Sequence, residues 1–415
     1  MSPTAAAVTA AWRMESTRLV AALTRMTHDL ALAEDLTQDA LVAALQQWPR
    51  EGIPANPAAW LMSVAKRRAV DHFRRAEAER RRTVELGEAQ EVEMPDLAAM
   101  VDHIEDDVLR LMFLTCHPLL SPQDRAALTL RLVGGLTTDE IAHAFLVADS
   151  TMGQRLSRAR RTLVQAGAQF ELPVGQDRTD RLDDVLAVVY LIFNEGYSAT
   201  TGPTWMRSDL CGEGLRLARV LAALVDDDPE VLALQALLEL QASRTGSRTG
   251  PDGEPVLLED QDRSRWDHLL IRRGLAALAR SEALSPEVGH YGLQARIAAC
   301  HARARTAGDT DWVQIAELYD VLSRAADNPV VEVNRAVAHG RAHGPRAGLA
   351  VLDAVAAHPA LARSHLLPSV RADLLARDGR RVEAADEFRR AAELTHNDQE
   401  RALLRRRADE QLLRP

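Results

Sequence analysis

The stretch Gly135–Leu163, GLTTDEIAHAFLVADSTMGQRLSRARRTL, has the pattern of two short helices separated by a tight turn. Thr138 is of a residue type that caps helices, and the two acidic residues after it would lie in the first turn, where negative charge favours a helix N-terminus. Ser150 is a second capping residue, and the helix that it would begin is predicted to run to about Gln165. The stretch therefore predicts a helix-turn-helix.

The second of these helices has two chemically different faces. Its apolar positions recur at three and four residues and share one side: Met152, Leu156, Ala159 and Leu163. Its polar positions are Thr151, Gln154, Arg155, Arg158 and Arg161. Such a helix can enter a DNA major groove, where arginine binds phosphates or guanine edges and glutamine reads adenine. The same spacing also fits an amphipathic surface helix without a nucleic-acid partner, so the pattern alone leaves both interpretations open.

Composition favours an all-α protein. The chain has 415 residues, a length that predicts two or three domains, and it is 47% hydrophobic with only 4% aromatic residues. Alanine, leucine and arginine dominate, and runs rich in valine, isoleucine and threonine are scarce. The formal net charge of -10 is unusual for a nucleic-acid binder, so the distribution of charge matters more than its sum.

Basic and acidic residues form two consecutive blocks. Residues 66–82 hold eight basic side chains, whereas residues 85–107 hold nine acidic side chains and neither lysine nor arginine. The basic block fits a phosphate-binding helix, and it equally fits a solvated helix end that complements the helix dipole. The acidic block has no clear period and predicts a linker over 77–105, between a helical domain at 5–76 and a helix-turn-helix domain at 106–168.

Several classes of function lack support in the sequence. The three cysteines lie far apart without a CxxC pair, so we expect neither a disulfide framework nor a metal site. No nucleophile motif, phosphate loop or metal triad is present, and we therefore predict no enzyme and no cofactor. No run reaches about 18 apolar residues and no signal pattern begins the chain, so we expect a cytoplasmic protein without a membrane partner.

Three stretches resemble, in order, the conserved regions of an RNA polymerase sigma factor of the extracytoplasmic-function (ECF) type. AEDLTQDALVAAL, Ala33–Leu45, resembles region 2.2, and NPAAWLMSVAKRRAVDHFRR, Asn56–Arg75, resembles regions 2.3 and 2.4. LSPQDRAALTLRLVGGLTTDEIAHAFLVADSTMGQRLSRARRTL, Leu120–Leu163, resembles region 4. The resemblance implies a factor that binds core RNA polymerase and promoter DNA and initiates transcription without covalent chemistry.

The resemblance also implies roles for particular residues. Contacts with core polymerase, through the β′ clamp helices, fall on Glu34, Asp35, Leu36, Gln38 and Asp39. Reading and melting of the -10 element fall on Asn56, Trp60, Lys66, Arg67, Arg68, Asp71 and Arg74. Recognition of the -35 element falls on Thr151, Gln154, Arg155, Arg158 and Arg161. The resemblance places the acidic linker near the RNA channel of the polymerase, whose β subunit is a further expected partner.

The recognition helix departs from the family pattern. Gln154 stands where many ECF sigma factors have a basic residue, and Gly153 weakens the helix slightly. The -35 sequence therefore does not carry over from better-known relatives.

Residues 180–415 resemble the helical C-terminal extension of one ECF group, with tetratricopeptide-like (TPR-like) repeats. DGRRVEAADEFRRAAEL has Gly379, Ala384, Phe388 and Ala391 at positions that match the second half of such a repeat, and Pro329–Pro359 is a more degenerate copy. Stacked helix pairs form a concave surface suited to a protein or peptide partner, which would modulate the sigma activity. This half would alternatively be a scaffold without a ligand.

Two other functions remain open at this stage. A one-component helix-turn-helix regulator would bind operators without polymerase, although it does not account for the region 2 stretches. A TPR interaction scaffold would use only the C-terminal half. Binding of core polymerase would distinguish a sigma factor from a one-component regulator. The absence of DNA binding would favour the TPR interaction scaffold.

Overall fold

The computed structural model describes residues 3–83, 104–145, 147–199, 201–251, 253–325 and 328–413. Helices dominate these ranges, so the all-α prediction is confirmed. The strands within them, β1 (Thr201–Gly202) and β2 (His396–Asn397), form a single two-residue parallel pair. The chain divides into two compact units, Met1–Val188 and Val189–Pro415.

The first unit contains the regions that resemble a sigma factor. Its helices are α1 (Pro3–Thr27), α2 (Leu30–Glu51), α3 (Pro57–Thr83), α4 (Ile104–Thr115), α5 (Pro122–Leu132), α6 (Thr138–Ala144) and α7 (Asp149–Gln165). Helix α8 (Gly175–Tyr197) follows, and the boundary between the two units falls within it. Leu23, Ala33 and Leu61 belong to one buried cluster that joins α1, α2 and α3.

Two side-chain caps fix the starts of α2 and α3. Asp29 accepts a hydrogen bond from the Ala31 amide at 2.8 Å, and Asn56 accepts one from the Ala59 amide at 3.0 Å. Both caps satisfy amides that a helix N-terminus leaves unpaired. Helix α3 continues to Thr83, beyond residue 76, where the first domain was expected to end. Residues 84–103 of the predicted linker lie outside the described residues.

The helix-turn-helix is formed by α6 and α7, but both starts differ from the prediction. Thr137, rather than Thr138, caps α6, because Glu140 stands three residues after Thr137 and completes a capping box with it. Helix α7 begins at Asp149, so Ser150 lies inside the helix, and the residue that precedes it, Ala148, provides no side-chain cap. The predicted end at Gln165 is confirmed.

The second unit is a succession of helices. Most of their connections are short, but residues 243–267 form a longer segment between two of them that contains two 3-10 turns. The helices are α9 (Ser208–Leu224), α10 (Pro229–Ala242), α11 (His268–Leu284), α12 (His290–Arg303), α13 (Trp312–Ala325), α14 (Pro329–His343), α15 (Pro345–Val355), α16 (Leu366–Arg377), α17 (Arg381–Leu394) and α18 (Asp398–Leu413). Helices that follow one another in sequence pack on one another, as in a helical-repeat protein.

Small residues allow α14 and α15 to approach closely. A Cβ on Gly348 would lie 2.5 Å from the Ala336 carbonyl oxygen and 2.9 Å from the Gly340 Cα. These distances explain why the degenerate repeat over Pro329–Pro359 carries glycine at both helices. Farther along the chain, Gly379 adopts a φ of 81° between α16 and α17, a conformation that favours glycine.

We expect Gly348→Ala to destabilise the second unit by about 1–3 kcal/mol, because the added methyl group would force two backbones apart. Gly212→Ala is the matched control: Gly212 is also helical, and a Cβ there would meet no atom within 4 Å. This control should be neutral or slightly stabilising, since alanine has the higher helix propensity. Urea unfolding of both variants measures the difference, and equal stabilities would contradict the close approach.

Candidate polymerase and promoter interface

Helix α7 presents the predicted recognition face to solvent. Met152, Leu156 and Leu163 are buried, and the helix packs through this apolar side on α5 and α6. Among the predicted DNA contacts, Thr151, Gln154, Arg158 and Arg161 are exposed. The structure therefore brings these four polar side chains to one accessible surface, which a nucleic-acid backbone and base edges can reach.

Arg155 differs from the other arginines predicted to contact DNA. It is half-buried, and its Nε lies 3.7 Å from Asp124 Oδ1 on α5. A guanidinium held beside a carboxylate has less free positive charge for a phosphate. Arg158 and Arg161 lack such an ion pair among the described residues, and they are the stronger candidates for the contact.

The residues predicted to read the -10 element lie along α3 and at its start. Asn56, Arg67, Asp71 and Arg74 are exposed, whereas Trp60, Lys66 and Arg68 are half-buried. The Trp60 ring packs edge-on against Trp48, with centroids 5.5 Å apart. Arg68 forms an ion pair with Asp39 of α2 at 2.7 Å. A residue predicted to read the -10 element is therefore paired with a residue predicted to contact the polymerase.

The residues predicted to contact polymerase do not share one exposed surface. Asp35, Gln38 and Asp39 are exposed on α2, but Leu36 is buried in the core cluster of the first unit. Glu34 is also buried, with only 7% of its surface accessible. A buried leucine supports the helix from inside, and it is the exposed residues of α2 that a partner protein can touch directly.

Two arginines of the region 4 helices hold the Glu34 carboxylate. Arg131 of α5 donates its Nε hydrogen to Glu34 Oε1 at 2.8 Å. Arg160 of α7 places a terminal nitrogen 2.5 Å from Glu34 Oε2. A carboxylate removed from water requires such partners, because a buried charge without them is strongly destabilising.

Further contacts join the same two regions. The Thr17 hydroxyl of α1 donates to the Val133 carbonyl at 2.8 Å, just after α5. Asp107 of α4 is fully buried and pairs with Arg25 of α1 at 3.0 Å and with Arg110 at 2.8 Å. Region 4 therefore packs on α1 and α2 in this conformation, and the packing covers Glu34.

No sequence pattern identifies Arg131 or Arg160 as partners of Glu34. Arg131, on α5, is separated from Glu34 by 97 residues. Arg160, on α7, is not one of the polar residues of that helix predicted to contact DNA. A local motif describes one helix, and it carries no information on which distant carboxylate that helix will meet. Only the packing of the two regions could identify this contact.

The described residues also bear on metal binding, membrane insertion and thiol reactivity. No three His, Cys, Asp or Glu side chains within these ranges are grouped to hold a metal ion. Within the same ranges, no helix combines the length and the apolar character that crossing a membrane requires. Burial raises the pKa of the Cys116 thiol to about 11 and that of Cys211 to about 12, so both remain protonated and unreactive near neutral pH.

Comparisons with known proteins agree with the order of these regions. Residues 12–79 match the family Sigma-70 region 2, and residues 110–163 match Sigma-70, region 4. Residues 181–282 match a family of unknown function, DUF6596. An uncharacterised protein of Rhizobium meliloti (strain 1021) is 41% identical over 392 residues, which cover 94% of this chain and 92% of the relative.

Relatives with a described activity align with the first part of the chain. The probable ECF RNA polymerase sigma factor SigI of Mycobacterium tuberculosis is 31% identical over 176 residues, 41% of this chain and 59% of SigI. The ECF RNA polymerase sigma factor SigK of Mycobacterium sp. (strain KMS) is 32% identical over 154 residues, 35% of this chain and 75% of SigK. With most of SigK matched and both sigma-70 regions present in order, the chain belongs to the ECF family of RNA polymerase sigma factors.

Proposed function

We propose that this sigma factor binds core RNA polymerase through α2, opens and reads the -10 element with α3, and reads the -35 element with α7. Partner contacts fall on the β′ clamp helices and the β subunit. The protein acts in the cytoplasm and contributes binding energy and strand separation, with no covalent step of its own. The C-terminal unit modulates this activity.

The exposed polar face of α7 is the observation that carries the proposal. Buried apolar residues on one side fix the helix on α5 and α6, and Gln154, Arg158 and Arg161 project from the other side. A rigid helix with basic and amide groups on its free face has the geometry of major-groove readout. The exposed basic residues of α3 supply a second region of positive charge for the phosphates of a separated strand.

Run-off transcription with purified bacterial core polymerase tests the proposal. Reactions with and without this protein on a library of promoter fragments should differ by defined new start sites. Their upstream sequences would then reveal the -10 and -35 elements. Tight DNA binding without new starts, with or without the C-terminal unit, would instead favour an operator-binding regulator.

We expect Arg158→Ala to weaken binding to a -35 fragment by about 1–3 kcal/mol, the magnitude of a bidentate contact between arginine and guanine. Arg155→Ala should cost less, because Arg155 is half-buried beside Asp124. Titration of polymerase holoenzyme with labelled promoter DNA measures both variants. Equal losses for both, or no loss for Arg158→Ala, would show that another face of α7 approaches the DNA.

The effect of the C-terminal unit is best tested with a chain that ends at Val188. This truncation keeps Arg181, which donates to the Phe113 carbonyl at 2.8 Å, and Asp184, which pairs with Arg125 at 2.5 Å. Ending the chain near Gly175 would remove both contacts from the first unit. A change in transcription could then come from a destabilised first unit and not from the loss of the C-terminal unit. Transcription that keeps its strength and its regulation after truncation at Val188 would contradict a modulating role.

A further inference from the structure

The second unit contains a cavity of about 240 Å³ among α10, α12, α13 and α14. Its apolar walls include Leu240, Ile297, Ile315 and Val337. Three aromatic side chains, Trp266, Trp312 and Tyr319, also line it. Pockets for drug-sized ligands measure roughly 300–1,000 Å³, so this cavity suits a smaller molecule and excludes a folded peptide.

Arginine lies at this cavity, and no carboxylate of the described residues belongs to the cavity lining. Arg244 lines the cavity, and the Arg263 guanidinium lies 5.0 Å from the centre of the Trp266 ring. The carboxylate that acts on Arg263 electrostatically is that of Asp309. Arg263 donates to the Thr310 hydroxyl at 2.8 Å and to the carbonyls of His301 and Ala304 at 2.8 and 3.0 Å. Arg244 donates to the Gln241 side chain at 2.7 Å. Burial, together with the charge of Arg244, lowers the pKa of Arg263.

Buried nitrogens at the same place also lack partners. Trp266 is only 3% exposed, and its Nε1 has no hydrogen-bond acceptor within the described residues. His301 Nδ1 is likewise unpartnered there. Burial, aided by the charges of Arg244 and Arg263, lowers the pKa of His301 to about 3, so this ring stays neutral at physiological pH. An indole nitrogen can only donate, and buried polar groups without partners are rare enough to require an explanation.

We propose that this cavity binds a small organic carboxylate with a flat apolar body. The carboxylate would accept hydrogen bonds from Arg244 and from the Trp266 indole, and the apolar body would lie between the aromatic and aliphatic walls. A charge-assisted hydrogen bond is the strongest way to satisfy a guanidinium. The site is independent of the promoter and polymerase contacts, and its test requires neither.

Isothermal titration calorimetry of the full chain tests this site with three carboxylates: benzoate, phenylacetate and 3-phenylpropanoate. The neutral amide of each is the matched ligand control, since it keeps the apolar body and loses the charge. We expect at least one carboxylate to bind with one-to-one saturation, at least tenfold more tightly than its amide. Equal binding of acid and amide, or no saturable binding of any acid at millimolar concentration, would overturn the proposal.

Substitutions locate the binding. Arg244→Gln should weaken the carboxylate at least tenfold, Arg244→Lys should retain more of the affinity, and the exposed Arg280→Gln on α11 should leave it unchanged. Ala298→Leu, which adds volume to the cavity lining, supplies a second test that leaves the charge intact. It should also weaken binding at least tenfold. Affinity that survives both Arg244→Gln and Ala298→Leu would place the ligand elsewhere and refute the site.

Discussion

Replacing Arg131 and Arg160 together by alanine is expected to tighten binding of this sigma factor to core polymerase about tenfold. Both arginines hold Glu34, a residue predicted to contact the clamp helices, and region 4 covers it in the present conformation. A partner that needs the uncovered state binds with an affinity reduced by the fraction of molecules in that state. Weakening the cover by about 1.4 kcal/mol changes that fraction tenfold when the uncovered state is rare.

The size of this effect follows from the exposure of the pair. Removing one partner of a fully buried ion pair costs about 3–5 kcal/mol. The side chains of Arg131 and Arg160 are 14% and 24% exposed, so water screens part of their interaction with Glu34. We therefore expect a cost of about 1.4 kcal/mol, below the range for a fully buried pair. Asp107 and Thr17 keep their own contacts between the two regions in this variant, so we expect easier opening and no loss of fold.

Two comparisons make the result decisive. Arg272→Ala combined with Arg273→Ala removes the same charge from exposed positions of α11 and should leave the affinity unchanged. Glu34→Ala also weakens the cover, but it removes the predicted polymerase contact and should therefore reduce the affinity. Tighter binding of Glu34→Ala would mean that Glu34 serves the closed packing alone. Wild-type affinity of the double arginine variant would mean that the packing does not limit polymerase binding.

Local patterns predicted the recognition helix because its fold depends on neighbours in sequence. The spacing of Met152, Leu156, Ala159 and Leu163 determines which side of α7 is buried, and the structure confirms that side. The predicted cap at Thr138 was wrong by one residue, because Thr137 and Thr138 are chemically equivalent as capping residues. The position of Glu140 decides between them, since a capping box requires a separation of three residues.

Long-range packing could not be predicted in the same way. The ion pairs of Glu34 and the buried pair of Asp107 with Arg25 join helices that lie far apart in sequence. The cavity beside Arg244 depends on four helices and on the segment that carries Trp266. In each case the residue types are ordinary, and only their arrangement in space gives them a role. The assignments of individual polymerase and promoter contacts remain predictions.

Phe388→Ala is expected to destabilise the second unit by about 3–5 kcal/mol, the usual cost of emptying the site of a buried phenylalanine. Phe388 is completely buried on α17, in a cluster that includes Ala372 of α16 and Leu404 of α18. The Arg407 guanidinium also lies 4.4 Å from the centre of its ring, and this cation–π contact would be lost. The small residues around the ring have little volume with which to fill the cavity, so the cost should be at the upper end of the range.

Val382→Ala on the same helix is the matched control, because Val382 is 67% exposed and its truncation should change stability by less than about 0.5 kcal/mol. Urea unfolding gives the global difference, and hydrogen exchange of the α16–α18 amides shows where it arises. If Phe388 joins successive helices as in a TPR-like repeat, protection should fall in α16, α17 and α18 together, since each helix of a stack depends on its neighbours. Loss of protection in α17 alone would contradict that repeat, and a cost below about 1 kcal/mol would contradict the packing of the ring.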